Sequence, residues 1–449
     1  MGTRMKSKLS KVLHRAGGKT LVEHVTDQAL QLAEPESIAV IVGHQGDVVR
    51  QTLASRGVRF AEQREQKGTG HALLMCREVL EHTGDHLLVL YGDVPLLTMS
   101  TLQRLVDAHQ ASNAAATVLT CNLADPARYG RIVRGPAGNI AAIVEFKAAT
   151  PEQLAIREIN SGICCFRSEL LWNNLASIQP NPASGEYYLT DMFELLTAQG
   201  HAVAPLLLED ETELLGINTK AELAVADRAL RERKAMELML AGVTIEKPET
   251  VTIDMDVRIG QDTLVEAFAQ IRGKTEIGAD CRIGACSIVI DSKLADGAVI
   301  EAFSHVVDSQ LDAGAKVGPY GRLRMNAHLA EGAIVGNFVE LKKTKLGKGS
   351  KAQHLAYLGD ATIGAKSNIG AGTITCNYDG INKHETHIAE GTFIGSNSTL
   401  VAPLTVGEGS YVAAGSVITK DVPPDTLALG RALQVEKPGW SKRKKSRAK

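Results

Sequence analysis

The sequence is poor in rings: phenylalanine, tyrosine and tryptophan make up 4% of its 449 residues, a content that suits a narrow interior. Its seven cysteines (Cys76, Cys121, Cys164, Cys165, Cys281, Cys286 and Cys376) are odd in number and form no C-x-x-C pair. Neither a disulfide framework nor a zinc site is suggested, and reduced thiols are expected. No apolar stretch approaches the roughly 18 to 20 residues that a membrane span requires, and no signal-peptide core follows the charged N-terminus. The chain therefore reads as cytoplasmic. Neither sign of charge is in excess, since 49 Lys and Arg stand against 51 Asp and Glu. That balance argues against a nucleic-acid or membrane-surface partner and for small molecules or copies of itself.

What is present falls into two halves with different patterns. The first alternates apolar runs with amphipathic segments: SIAVIV (37–42), a helix-like stretch to Leu53, VRF (58–60), a helix after Gly70, HLLVLYGD (86–93), a helix from Ser100 and AATVLT (115–120). Buried strands alternating with helices predict a mostly parallel α/β sheet of Rossmann-like type, with ligands beyond the carboxyl ends of its strands. After about residue 250 an apolar residue recurs every sixth position. Leu311, Val317, Leu323, Leu329, Val335 and Leu341 form one series; Ile388, Ile394, Leu400, Val406, Val412 and Ile418 form another. This period fits neither a helix face nor an alternating strand. It fits a left-handed parallel β-helix of hexapeptide repeats, with small residues at tight corners.

Between the halves, Thr219 and Glu222 form a capping box that opens a helix, with Leu223, Ala226, Leu230 and Leu238 on one stripe and Gly242 as its stop. The expected organisation is a nucleotide domain over 1–218, a linker helix over 219–242, a β-helix over 243–437 and a solvated basic tail over 438–449.

Asp93 follows a buried strand in LYGDVPLL (90–97), where a carboxylate serves either as a Mg²⁺ ligand or as a helix cap. Upstream, EQREQKGTGHA (62–72) makes a Gly-Thr-Gly turn into a helix, whose backbone N–H groups could read a base edge or hold an anion. In the second half the hexads falter around KAQHLAYLGD (351–360) and again between Ile369 and Ile388, where a loop too long for a corner intervenes. Insertions on one face of a solenoid commonly carry binding sites. His354 sits in the first irregularity, either as a structural histidine or as a base. Near it in sequence are Arg324, Lys342, Tyr357, Asn368 and Lys383, a cationic and polar set suited to a sugar phosphate.

The order GTRM, SKVL, EQ with GTGHA, LYGDVPL, YGRIV, VEFK, EINSG, GEYYLTD and GINTK resembles the nucleotide-sugar pyrophosphorylases. With the hexad half attached, nearly the whole chain resembles the bifunctional bacterial GlmU family, which joins an N-acetylglucosamine-1-phosphate uridylyltransferase to a glucosamine-1-phosphate acetyltransferase. The resemblance implies a cytoplasmic homotrimer that uses UTP, acetyl-CoA and Mg²⁺ and supplies UDP-N-acetylglucosamine for peptidoglycan and lipopolysaccharide. It gives Arg4 and Lys11 the triphosphate, and Asp93 and Asn218 the Mg²⁺. Gln63, Gly68 and Thr69 take the uracil, Tyr91 and Gly92 line the nucleotide-sugar site, and Gly130, Glu145, Asn160 and Thr190 hold the acetylated sugar. It makes His354 the general base of acetyl transfer. Arg324, Lys342, Tyr357, Asn368 and Lys383 bind the sugar phosphate, while Ala371, Asn377, Tyr378, Ser396, Ala414 and Arg431 contact acetyl-CoA.

Three departures from the family pattern carry expectations. The family's phosphate loop reads roughly L-A-A-G-x-G-T-R-M after an apolar first strand, and Gly2, Thr3, Arg4 and Met5 are what this sequence shows of it. Two expectations follow: either the product begins upstream of Met1, or a missing strand exposes neighbouring strand edges and impairs uridylyl transfer, with acetyl transfer surviving in both cases. Ser10 stands where the family has Pro, which should loosen the Lys11 loop slightly. RLRMN (322–326) lacks the family's Pro-Gly after Arg324, which should alter a local turn. Two other readings stand beside this one: a pyrophosphorylase whose β-helix is only an assembly scaffold, and a hexad half that is a binding module without chemistry.

Overall fold

Apolar, β-branched runs form the strands of the first half. The computed structural model describes residues 3–447 except Ala137 and Ala183, so Gly2 of the opening turn lies outside the described residues. Backbone contacts divide the chain into two units, Met1–Leu230 and Arg231–Lys449.

In the first unit Ala39–Val42 pairs in parallel with Arg59–Glu62. A separate six-stranded sheet is mixed, not mostly parallel as the alternation predicts. Val203–Leu208 runs parallel to Ala116–Asn122. Glu158–Arg167, however, pairs antiparallel with Ala116–Asn122, with His86–Val89 and with Arg131–Arg134. Arg131–Arg134 also pairs antiparallel with Ile140–Val144, and there the cause is connection length: the tight turn between them, closed by Gly135 N–H to Asn139 C=O at 2.8 Å, is too short for a parallel pair.

Two of these strands leave an edge open. Among the described residues Ala39–Val42 pairs only with Arg59–Glu62, and His86–Val89 only with Glu158–Arg167. Both line one cavity of about 1060 Å³, together with Lys11, Val12, Val22 and Leu90. Leu87, Leu88 and Val89 are half-buried, whereas Val118 and Leu119 in the interior of the same sheet are fully buried.

The second unit is a left-handed parallel β-helix whose three sheets hold 11, 10 and 9 strands. Each hexad contributes one inward side chain, and successive hexads belong to successive sheets. Both predicted series are buried from end to end, and they share a single core with Val265, Ile283 and Ile300. Each such aliphatic side chain removed from water contributes about 2 kcal/mol. Glycine at one corner is a requirement of stacking: a Cβ on Gly347 would lie 2.7 Å from Ala365 N, and one on Gly395 would lie 2.4 Å from Ala414 N.

The predicted break at 351–360 is absent. Lys351–His354 and Tyr357–Gly359 continue two of the sheets, because Ala352 takes the inward position that larger aliphatics fill elsewhere. The second irregularity is a true excursion. Tyr378 and Lys383 form an antiparallel bridge, and the Asp379 carboxylate accepts from Ile381 N–H at 2.8 Å and Asn382 N–H at 2.6 Å. After Arg324 the corner is made by Met325 and Asn326, both left-handed at φ of 57° and 60°, a conformation closed to proline.

The helix Lys220–Leu240 opens with the predicted capping box, Thr219 N–H donating to Glu222 at 2.7 Å and Glu222 N–H to Thr219 Oγ1 at 3.1 Å. Its later residues Ala235 and Leu238 join the β-helix core. The solvated basic tail is helical over Trp440–Arg447, with the Lys444 ammonium 5.1 Å from the centre of the Trp440 ring. Among the described residues no helix is long and apolar enough to cross a membrane.

Candidate active sites

In the first unit four polar residues converge that are up to 214 positions apart in sequence. The Lys11 ammonium pairs with the Asp93 carboxylate and donates to Asn218 Oδ1 at 3.2 Å; Arg4 donates to the same oxygen at 3.1 Å. Asn218 is held in turn. Its N–H donates to Glu222 at 2.7 Å, its side-chain amide to Gly216 C=O at 3.0 Å, and Ile217 N–H to Asp93 C=O at 2.9 Å. Asp93 is not a helix cap, since Thr98 caps the helix Met99–Ser112 by accepting from Thr101 N–H. Asp93 and Asn218 present oxygens to one point that a single ammonium reaches. One carboxylate and one amide oxygen suit a hard cation that takes its remaining ligands from phosphates and water. Among the described residues no group of three or more His, Cys, Asp or Glu could hold a metal by itself.

The Gly-Thr-Gly turn is tied to the segment 187–190. Gly70 N–H donates to Tyr187 C=O at 2.8 Å, Tyr187 N–H to Lys67 C=O at 2.7 Å, and Leu189 N–H to Thr69 Oγ1 at 3.0 Å. Gly68 is obligatory: its φ is +99°, and a Cβ there would lie 2.5 Å from Tyr187 O. Gln63 joins the turn by donating to Gly68 C=O at 3.1 Å. Thr190 Oγ1 donates to Glu145 at 3.2 Å, and burial pushes the Glu145 carboxyl above its usual range although that hydrogen bond opposes the shift. Asn160 N–H donates to Gly130 C=O at 2.9 Å and Asn160 Oδ1 accepts from Gly162 N–H at 2.9 Å, which turns the buried amide inward beside Gly130. Tyr91 packs its ring against Gly162, next to Gly92. Burial raises its phenol pKa, and the nearby Cys164, Glu145 and Asp93 add to the rise.

In the second unit the 10-stranded sheet carries Arg324, Lys342 and Tyr357 on successive rungs. Lys342 is buried and donates to Asp360 at 2.8 Å; Asn377, also buried, donates its side-chain amide to the same Asp360 oxygen. The Asp360 carboxylate holds the Lys342 ammonium above the usual lysine range. Lys383 moves the other way, pushed down chiefly by Lys342, with Arg324 adding to the effect. The three cations therefore share one locality. Tyr357 reaches it too, since a Cβ on Gly359 would lie 2.5 Å from the Tyr357 hydroxyl and 2.8 Å from Asn377 Nδ2.

His354 is exposed at the end of Lys351–His354, in the 11-stranded sheet that also holds Asn368. It stands at the corner, three residues before Tyr357. Tyr378 is exposed on the excursion loop, its hydroxyl donating to Gly380 C=O at 2.6 Å. The residues expected to meet acetyl-CoA fall into two places. Asn377 belongs to the Lys342 cluster. Ala371, Ser396, Ala414 and Arg431 occupy one corner column, through Asn397 N–H to Ala371 C=O at 2.7 Å, Gly415 N–H to Ser396 C=O at 2.8 Å, and Gly415 beside Arg431. Among the described residues no single hydrogen-bonded cluster joins the column to Lys342. Sequence reasoning missed Asp360, which ends the quoted KAQHLAYLGD, and the grip of Glu222 on Asn218, of which the capping box was a partial sign.

Known proteins agree with this division. Residues 1–157 match the MobA-like NTP transferase domain, and residues 256–291 and 385–420 match the bacterial transferase hexapeptide of six repeats. The bifunctional protein GlmU of Solibacter usitatus is 57% identical over 449 residues, covering 100% of this chain and 96% of the relative. The GlmU proteins of Koribacter versatilis and Trichlorobacter lovleyi are 48% and 45% identical, over 100% and 99% of this chain and 96% of each relative. With a nucleotidyl-transferase half, a hexapeptide-transferase half and relatives of this identity along its whole length, the chain belongs to the bifunctional GlmU family.

Proposed function

We propose that the chain makes UDP-N-acetylglucosamine in two transfers, acetylating glucosamine-1-phosphate in residues 243–437 and uridylylating the product in residues 1–218, with 219–242 as linker helix and 438–449 as tail. The observation that carries this reading is convergence. Residues remote in sequence, Arg4, Lys11, Asp93 and Asn218 in one unit and Arg324, Lys342, Asn377 and Lys383 in the other, gather into two cationic sites of the kind phosphorylated substrates require.

In uridylyl transfer a phosphate oxygen of N-acetylglucosamine-1-phosphate attacks the α-phosphorus of UTP, the bond to the β-phosphate breaks and pyrophosphate leaves. Arg4 and Lys11 neutralise the developing charge and no covalent enzyme intermediate is needed. Asp93 and Asn218 would hold Mg²⁺, which supplies charge neutralisation at the phosphates when bound. Gln63, Gly68 and Thr69 orient the uracil, Tyr91 and Gly92 line the site, and Gly130, Glu145, Asn160 and Thr190 hold the sugar.

In acetyl transfer the glucosamine nitrogen attacks the thioester carbonyl, the C–N bond forms and the C–S bond breaks, releasing the CoA thiol. His354 takes the proton that the amine loses. Arg324, Lys342, Tyr357, Asn368 and Lys383 bind the sugar phosphate; Asn377 and Tyr378 flank the reacting carbonyl; Ala371, Ser396, Ala414 and Arg431 receive the coenzyme. Neighbouring subunits of a cytoplasmic homotrimer complete this site. In support, His354 and Lys342 lie on adjacent faces of the solenoid, and the corner column that carries Ala371, Ser396 and Ala414 continues to His354, whose C=O accepts from Gly372 N–H at 3.3 Å.

Two assays on the purified chain test the reading: thiol release from acetyl-CoA with glucosamine-1-phosphate, and pyrophosphate release from UTP with N-acetylglucosamine-1-phosphate and Mg²⁺. Both products are expected. Absence of thiol release would reduce the β-helix to a scaffold, and absence of both would remove the proposal.

A further inference from the structure

Four successive or nearly successive strands of the 10-stranded sheet are followed by a left-handed corner residue: Asp291, Asp308, Lys343 and Asp360, at φ of 47°, 46°, 50° and 47°. Aspartate tolerates that conformation better than most residues, so a corner aspartate needs no further explanation. Asp291 behaves as such a residue, its carboxylate accepting from the backbone N–H of Lys274 at 2.9 Å. Asp360 does something different. Its carboxylate is buried and accepts from two side chains, the Lys342 ammonium at 2.8 Å and the Asn377 amide, while Lys343 lies 3.6 Å from its second oxygen.

The backbone of Asp360 is tied to the rung of Lys342 and to the far end of the excursion loop. Its N–H donates to Lys342 C=O at 2.9 Å, and its C=O accepts from Thr386 N–H at 3.1 Å where the excursion loop returns. The residue before it is glycine, and only glycine leaves room there for the Tyr357 hydroxyl and the Asn377 amide to approach. One carboxylate thus lies beneath groups that reach it from the rung of Lys342 and from the start of the loop at Asn377.

We infer that Asp360 is a positioning residue of the acetyl-transfer site, a single buried carboxylate that aims the Lys342 ammonium at the sugar phosphate and the Asn377 amide at the acetyl group. This rests on the acetyltransferase reading above. Asp360 touches no substrate in this role. It keeps a buried lysine charged and a buried amide in one orientation, and both need a partner in a low-dielectric setting. The opposing influences on the carboxyl agree: burial would raise it, yet the bonds from Lys342 and Asn377 hold it below the usual range.

The test is Asp360→Asn, which keeps the left-handed corner and one acceptor oxygen but removes the charge. Expected are a fall of at least tenfold in kcat/KM for acetyl transfer, a rise in KM for glucosamine-1-phosphate that steepens as pH increases because Lys342 loses its proton earlier, and unchanged pyrophosphate release from the same chain. Asp360→Glu should recover part of the loss. Acetyl transfer within twofold of the parent across the pH range would overturn the inference, and so would a loss that is the same at every pH. A parent chain without thiol release would instead sink the acetyltransferase reading. The positioning claim is then decided by a ¹³Cε-lysine titration followed by NMR, with Lys342 assigned through Lys342→Arg. The Lys342 pKa falls in Asp360→Asn if the carboxylate holds it, and an unmoved pKa refutes the claim.

Discussion

Lys11 and Asp93 form an ion pair across 82 residues of sequence, and the same ammonium also reaches Asn218. Removing the carboxylate leaves Lys11 with a neutral partner and takes away the anionic oxygen that faces it. Asp93→Asn is expected to lower Mg²⁺-dependent pyrophosphate release by about a hundredfold or more and to leave thiol release at the parental rate. Unchanged nucleotidyl transfer at limiting Mg²⁺ would count decisively against the role given to Asp93.

His354 sits in the second unit, on an exposed strand end. His354→Ala should cost acetyl transfer roughly 10²- to 10⁴-fold, the range of general base catalysis, with uridylyl transfer near normal. Loss of both activities in a chain that still folds would show that the sites are not separate.

Gly68→Ala adds a methyl group where the Tyr187 carbonyl is 2.5 Å away, at a backbone angle that L-residues avoid. We expect a loss of about 1 to 3 kcal/mol in the first unit and at least a tenfold fall in pyrophosphate release, with thiol release spared. Parental rates for both reactions would mean that the turn does not shape the nucleotide site.

His109 is buried, with its ring 5.0 Å from that of His86 and its Nδ1 2.9 Å from Thr117 Oγ1. Burial, then the charges of His86 and Arg167, pull its pKa down to about 4. The unfolded chain binds this proton near pH 6.5 and the folded one does not, so stability is fully present above pH 6.5 and falls as pH drops toward 4. Between pH 7 and pH 5 the loss is about 2 kcal/mol. Urea unfolding followed by the fluorescence of buried Trp172 should show it, and His109→Gln should flatten it. Equal pH slopes for the two proteins would refute the assignment.

Much of this molecule is legible in its sequence because the β-helix is one side chain wide. Leu323 or Val406 must point inward and the corner glycines must lack a Cβ, so the period writes the fold directly. Ala352 blurred the pattern because a small inward residue looks like an interruption. The direction of Glu158–Arg167 was hidden, since an apolar run does not encode which way its neighbour runs. Of the four converging residues Asp93 was marked by its place after a buried strand, whereas Arg4, Lys11 and Asn218 were nameable only through the family resemblance; their convergence is a property of the fold. Asp360 escaped notice because a corner aspartate has a sufficient backbone reason to be there.

The open edges of Ala39–Val42 and His86–Val89 have a colloidal consequence. Each presents backbone donors and acceptors to the cavity they share, which an extended segment of another chain could enter, and unsatisfied edges of this kind template intermolecular sheets. The solenoid half already stacks its own strands in register, rung upon rung. Concentrated or warmed samples should therefore clump through the first unit, and protease trimming to the solenoid should leave the more soluble remainder.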